Sequence, residues 1–159
     1  MGDYGQFMTP EAVFASLTGL RQYQGDGRRA PHKPLLVLLA LGQLNATGSS
    51  ALEWSTVEAR LGALLSEFGT STTTGSSSAA YPFTRLRSDG MWQLSRDVPN
   101  DKVGPLNSAP IEGHFSPEIE AELRRSPATL NAVARSLVES QFPLTIAPDV
   151  LSAVGLDPD

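Results

Sequence analysis

The chain has 159 residues, no cysteine, 40% hydrophobic and 18% charged residues, and a net charge of −5. Without cysteine it can form neither disulfides nor thiolate zinc sites, and its longest apolar run, residues 35–41, is too short to span a membrane. The N-terminus lacks the basic and apolar regions of a signal peptide. We therefore expect a cytoplasmic protein with one domain and no membrane partner.

The negative charge is distributed unevenly along the chain. Nine basic and nine acidic side chains balance up to Pro110, whereas the remainder carries eight acidic and three basic side chains. The stretch 21–33 holds four basic side chains against one acidic one. Because a partner responds to the local potential rather than to the average charge, this distribution would orient the molecule on a polyanion.

Two helices are predicted in the first third. Residues 9–11 supply an N-cap hydroxyl, a proline at the first helical position and an acidic residue near the positive end of the dipole. This first helix should end near residues 21–23. The second is expected from Pro34, at its first position, to about Leu44, and its apolar residues on all sides predict a central, buried helix.

A short strand is expected at residues 52–54. A capping box at 55–58 then opens a third helix that stops at Gly69. The Ser/Thr/Gly-rich tract 70–78 has no potential to build a core and predicts a mobile loop.

A β-hairpin is predicted next, because residues 81–87 alternate in polarity and are rich in β-prone types. Residues 88–90 would form its turn and 91–94 its return strand. A regular alternation would place Arg85 and Arg87 on one face.

The last third is predicted to be helical. Residues 96–110 contain three prolines and indicate an irregular connection, and cap-plus-proline starts follow at 116–118 and 126–128. A short helix is expected at 148–154. The whole order predicts an α+β fold, mainly α with a small antiparallel sheet, in which a winged-helix-like core precedes C-terminal helices.

Four cationic or titratable side chains, Arg28, Arg29, His32 and Lys33, lie just before the second helix. They could form an ordinary solvated loop, but positive charge at a helix N-terminus opposes the dipole and so favours an anionic partner. The arginines could clamp phosphate oxygens or read guanine. His32 could donate to a phosphate or satisfy a backbone carbonyl.

Tyr81 and Pro82 precede the two arginines of the predicted hairpin. They could pack on the core, or they could form an apolar spot within a cationic surface. Such a mixture suits an anion with one less hydrated, more polarizable atom. The chain has two histidines and no motif of a metal site, hydrolase or dinucleotide-binding enzyme, so we expect no catalysis, metal or cofactor.

Two stretches together, residues 28–36 and 81–86, resemble the sulfur-binding domain of McrA-type, phosphorothioate-dependent restriction endonucleases. Residues 113–116 are similar to a later Gly-rich, aromatic segment of that family. The resemblance implies a single sulfur-binding domain over residues 1–159, whose partner is double-stranded DNA in which sulfur replaces a non-bridging phosphate oxygen. It also implies that an apolar surface cavity receives the sulfur while basic residues hold the backbone.

The resemblance also implies roles for particular residues. The sulfur cavity would be lined by Tyr81 and Pro82, with Thr84 and Arg85 beside it. The DNA contacts would come from Arg28, Arg29, His32, Lys33, Arg85, Arg87 and Ser108. Ser108 falls where the family has a further DNA-contacting loop, although residues 106–108 carry no arginine here.

Restriction enzymes of this family also carry an HNH nuclease, which this chain has too few histidines to supply. We therefore expect a reader that stands alone or is joined to a nuclease or other effector. Two alternatives remain open from the sequence. One is a winged-helix domain that binds unmodified DNA, and the other is a protein-interaction module that docks through the acidic helices after Ile111.

Overall fold

The structure, a computed structural model, describes residues 8–20, 31–68 and 76–157, with the side chains of 76–78 left aside. In this part of the chain the helices are α1 Pro10–Thr18, α2 His32–Thr47, α3 Trp54–Phe68, α4 Ser76–Arg85, α5 Val103–Asn107, α6 Pro117–Arg125, α7 Pro127–Gln141 and α8 Ala147–Ala153. The 3-10 helix Leu86–Asp89 continues α4, and the strands are β1 Leu52–Glu53, β2 Trp92–Leu94 and β3 Glu112–Phe115. The predicted α+β class, mainly helical with a small antiparallel sheet, is confirmed.

Helix α2 is the central element, as its sequence predicted. All its residues from Lys33 to Gly42 are buried, and it packs against α3, α4, α6 and α7. Its start differs from the prediction, because the helix begins at His32 and Pro34 lies within the first turn. A proline is tolerated there because the first four amides of a helix have no intrahelical acceptor.

Helix α1 begins as predicted. The Thr9 side chain accepts a hydrogen bond from the backbone N–H of Ala12 at 3.0 Å, and Val13 and Leu17 are buried. The helix ends at Thr18, earlier than the predicted 21–23, of which the structure describes nothing.

The predicted hairpin over 81–94 is wrong. Residues 81–85 are the second half of α4, and the sequence that was expected to alternate continues into the 3-10 helix. The physical reason is a buried stripe at helical spacing of three and four residues, formed by Ala79, Ala80, Phe83 and Leu86. This stripe packs on α2 and α3. Residues 76–78 of the predicted loop open α4, and 70–75 lie outside the described residues.

The sheet is assembled around β3 in the order β1-β3-β2, with both pairs antiparallel. The strand predicted at 91–94 is present, but Trp92 is paired with Phe115 and Leu94 with Gly113. The connection predicted as irregular contains α5. The likeness to a winged helix is therefore not confirmed.

The C-terminal helices begin where the sequence predicted. Pro117 and Pro127 occupy the first turns of α6 and α7, and Ser126 accepts from the backbone N–H of Thr129 at 3.3 Å. Helix α7 packs on α1, α2 and α8. Within the described ranges, no helix combines the length and the apolar character needed to cross a membrane.

Candidate nucleic-acid interface

The start of α2 and the second half of α4 meet at the candidate site. The rings of His32 and Tyr81 pack edge to face, with centroids 5.8 Å apart and planes at 78°. Both side chains are half-buried. Two of the predicted functional residues, far apart in sequence, are therefore in contact.

Arg85 follows Tyr81 by about one helical turn and leans over the same ring. Its guanidinium carbon lies 5.5 Å from the Tyr81 ring centroid, within the range of a cation–π contact. The Tyr81 ring is thus shared by an imidazole and a guanidinium. This combines an apolar face with cationic and hydrogen-bonding groups.

His32 brings an unused polar atom to the site. Its Nδ1 is buried and has no hydrogen-bond partner among the described residues. Burial lowers the pKa of His32 below its ordinary value of 6.5, so the ring is neutral at pH 7. Because Nδ1 is enclosed in the protein, His32 can meet a ligand through the exposed part of its ring rather than through this atom.

Asp101 holds the Arg85 side chain from one edge. Arg85 Nε donates to Oδ1 at 2.9 Å and Nη2 donates to Oδ2 at 2.7 Å. This hydrogen bonding, with the carboxylate charge, raises the pKa of Arg85. Sequence reasoning missed Asp101, although the preceding Asn and this Asp are the residue types that tolerate left-handed backbone in turns.

Thr84 is fully buried and supports the site from below. Its hydroxyl donates to the Ala80 carbonyl at 2.8 Å and accepts from the backbone N–H of Asp101 at 3.0 Å. Both hydrogen bonds are made within the protein, and the hydroxyl is not accessible to a ligand. We therefore reassign Thr84 from the expected cavity wall to a supporting position.

Lys33 also differs from the expected solvated cation. Its Nζ lies 2.6 Å from Oδ2 of Asp89, and the two side chains are only 4% and 3% exposed. The ammonium is therefore enclosed in the protein rather than presented to a phosphate. The ion pair joins the first turn of α2 to the end of the 3-10 helix.

Arg87 is used to organise a loop. Its Nε donates to the Thr84 carbonyl at 2.8 Å, and its Nη2 donates to the Val98 carbonyl at 2.7 Å and to Asn100 Oδ1 at 2.9 Å. Its Nη1 is 3.3 Å from Asp97. Arg87 and Arg85 do not share the strand face that was predicted, because both belong to a helical segment.

The remaining predicted residues are distributed as follows. Pro82 is buried within α4, and Arg28 and Arg29 lie outside the described residues. Ser108 is exposed, donates to the Pro105 carbonyl at 2.9 Å, and lines a groove of about 470 Å³ together with Trp54. That groove is lined by none of the residues around the Tyr81 ring.

The segment 113–116 supports α4 through the core. A side chain in place of Gly113 would collide with the Trp92 indole. The indole Nε1 in turn donates to the Phe83 carbonyl at 3.0 Å. The glycine that carried part of the family resemblance therefore allows a contact that positions the helix of Tyr81 and Arg85.

Solved structures share this fold. The sulfur-binding domain of SprMcrA, in complex with phosphorothioated DNA, is 21% identical with a TM-score of 0.73, covering 94% of this chain and 95% of that chain. The corresponding ScoMcrA domain, also with phosphorothioated DNA, is 20% identical with a TM-score of 0.74, covering 89% and 97%. ScoMcrA itself, a Type IV phosphorothioation-dependent restriction endonuclease, gives 20% identity and a TM-score of 0.69, covering 91% of this chain and 29% of that one.

Comparison of sequences gives the family. No curated protein matches the chain. The family described as "ScoMcrA-like, DNA sulfur-binding domain" matches residues 10–159, nearly the whole length. The chain therefore belongs to the ScoMcrA-like DNA sulfur-binding domain family.

Proposed function

We propose that this chain, as one domain over residues 1–159, is a non-catalytic reader of double-stranded DNA that carries phosphorothioate linkages. Membership in the sulfur-binding family supports the ligand class, and two similar domains have been solved with phosphorothioated DNA. The observation that carries the site is the half-buried Tyr81 ring in contact with both His32 and Arg85. A DNA ligand is consistent with the cytoplasmic location expected from the sequence.

The arrangement suits a thiophosphate because it separates two tasks. Sulfur is larger and less strongly hydrated than oxygen, so the apolar surface of Tyr81, with Pro82 next to it in the helix, favours sulfur over oxygen. Arg85 supplies hydrogen bonding to the rest of the anion, and the half-buried His32 ring holds the Tyr81 ring in place beside it. A preference of about 1.4 kcal/mol already gives tenfold discrimination.

Most of the affinity is assigned to ordinary phosphate contacts. Arg28 and Arg29 are the cations next to His32 in sequence, and we assign them to the backbone or to nearby bases, with Ser108 as a further contact. Each phosphate contact contributes to the salt dependence of binding. An Arg28→Ala variant should weaken binding to modified and unmodified duplexes alike and reduce the salt slope by about 1.

The test is a mobility-shift titration of one duplex prepared with and without a single phosphorothioate. We expect tighter binding to the modified duplex. Equal binding to both would contradict the proposal and favour a reader of unmodified DNA. Binding to neither would favour the protein-interaction alternative.

Variants of Tyr81 test whether its ring is the source of the preference for the modified duplex. Tyr81→Ala should reduce the ratio of the two affinities by about tenfold, because it removes the ring that contacts both neighbours. Tyr81→Phe keeps the ring and should keep most of the ratio. Phe14→Ala is the matched control, since Phe14 is 36% exposed on α1, which packs on α6 and α7.

Catalysis is not assigned to this chain. The ScoMcrA chain that it resembles is a restriction endonuclease of which the match covers 29%. Any cleavage coupled to binding would come from a nuclease or other effector outside these residues. Incubation of the domain with a modified plasmid and divalent metal should leave the plasmid intact.

A further inference from the structure

The loop that carries Asp101 is bent into an unusual backbone conformation. Asp101 has φ of +67° and is the one non-glycine residue with positive φ in the part of the chain that the structure describes. This conformation is unfavourable for residues with a side chain, although Asp and Asn tolerate it best. Strain of this kind persists only where surrounding contacts impose it, and it is common at functional sites.

Those contacts come from the helical segment that carries the candidate site. The buried Thr84 hydroxyl accepts the Asp101 N–H at 3.0 Å. Arg87 holds the preceding turn through the Val98 carbonyl and Asn100 Oδ1. The position of the Asp101 carboxylate is therefore determined by the same segment that positions Tyr81 and Arg85.

The carboxylate occupies one edge of Arg85 and leaves another available. Nε and Nη2 donate to Asp101, whereas Nη1 has no partner among the described residues. The guanidinium remains over the Tyr81 ring. The two side chains are 45% and 41% exposed, so the pair contributes little to folding stability.

We infer that Asp101 is a positioning residue that sets the specificity of the site through Arg85. It fixes the guanidinium over Tyr81 with Nη1 left for a ligand, which sets the preference, and its charge lowers the attraction of the site for phosphate and thiophosphate alike. This inference rests on the proposed function. Removal of the carboxylate should therefore strengthen binding to DNA in general and weaken the preference for sulfur.

The test compares Asp101→Asn with Asp97→Asn. Asparagine tolerates positive φ and retains the N–H that bonds to Thr84. It removes the charge and one of the two oxygen acceptors. Asp97→Asn changes the net charge equally in the same loop, but the exposed Asp97 contacts Arg87 rather than Arg85.

We expect both variants to bind the unmodified duplex about threefold more tightly. Only Asp101→Asn should lower the modified-to-unmodified affinity ratio, by about tenfold. Arg85→Lys keeps the charge but lacks the two-pronged geometry, so it should lower the ratio similarly. The double variant with Asp101→Asn and Arg85→Lys should lower the affinity ratio little more than either single change, because both changes break the same interaction.

The outcomes separate this inference from the proposed function. A wild-type protein without preference for the modified duplex overturns both. A wild-type preference that Asp101→Asn retains, or that Asp97→Asn loses to the same extent, overturns the role of Asp101 alone. If Asp101→Asn lowers the melting temperature, Arg85→Lys becomes the deciding variant. An unchanged preference of Arg85→Lys for the modified duplex would contradict the role of an oriented guanidinium.

Discussion

Two of the ion pairs that connect the helical segment 76–89 to other parts of the protein differ in burial and in geometry. Lys33–Asp89 is 2.6 Å long and almost completely buried. Arg85–Asp101 is bidentate and roughly half exposed. One is enclosed between α2 and the 3-10 helix, and the other lies where a ligand can reach it.

The difference shows how one type of interaction serves two purposes. Breaking a buried pair is strongly destabilising, because one charge stays buried without its counter-charge. An exposed pair contributes at most about 1 kcal/mol and remains accessible to an incoming phosphate. We infer that Lys33–Asp89 keeps α2 and α4 in register, whereas Arg85–Asp101 determines what binds there.

The largest expected effect is that of Lys33→Met. It leaves the buried Asp89 carboxylate without its lysine, so the free energy of unfolding should fall by about 3–5 kcal/mol. Urea denaturation followed by circular dichroism measures it. The control is Lys102→Met, at an exposed lysine, which should stay within about 0.5 kcal/mol of wild type. A similar small loss for Lys33→Met would remove the distinction between the two pairs.

A smaller loss of unfolding free energy is expected for Thr84→Val. The Thr84 hydroxyl connects the buried side of α4 to the exposed Asp101. The change keeps the shape but leaves the Asp101 N–H without its acceptor, at a cost of about 1–2 kcal/mol in unfolding free energy. Thr18→Val removes a similar bond to the carbonyl four residues earlier, at an exposed position, and should cost less. If Thr84→Val also lowers the preference for the modified duplex, Asp101 depends on its backbone anchor. An unchanged preference would show that the Arg85 contact alone positions Asp101.

The stability of the free domain should also decline as pH falls through 6.5. The pKa of His32 is below this ordinary value because of burial, so the unfolded state takes up the proton first and gains stability at acidic pH. Burial alone would raise the pKa of Glu120, but hydrogen bonds from Ser50 and the charge of Arg124 lower it from 4.5. Melting temperatures measured between about pH 7.5 and 5.5 therefore exclude the titration of Glu120, which occurs at lower pH. His32→Asn should flatten the decline, whereas an unchanged slope in that variant would assign the effect elsewhere.

The smallest expected effect on stability is that of Asp101→Asn. Its unfolding free energy should stay within about 1 kcal/mol of wild type, because the pair is exposed. The same urea titration measures it beside Lys33→Met. A loss as large as that of the buried pair would mean that Asp101 is a structural residue, and the comparison between the two pairs would fail.

Local signals predicted the helices well where those signals were specific. The prolines and hydroxyl caps at the starts of α1, α6 and α7 act within a few residues, so tertiary packing has little to override. The uniformly apolar stretch after Pro34 could only be buried. Alternation over 81–87 was misleading, because the same residues also carry apolar side chains at helical spacing, and packing on α2 and α3 selected the helix.

The candidate site also contains residues that the sequence predicted and residues that depend on tertiary contacts. His32, Tyr81 and Arg85 were predicted from their types and their family resemblance, and the fold brings them together. The burial of Lys33 could not be predicted, because its partner Asp89 lies 56 residues further along the chain. Asp101 was missed for a similar reason, since its role depends on a helix that the sequence suggested was a strand.

The sequence by itself determined the starts of α1, α6 and α7, the central position of α2, and the family through two short motifs and a nearly full-length match. Each depends on residue types at short spacing or on the pattern of the whole chain. Only the tertiary structure decided which cations are enclosed and which remain accessible, because burial and pairing depend on residues distant in sequence. Lys33 and Arg85 carry the same charge, and their surroundings alone make one a structural residue and the other a candidate for reading sulfur.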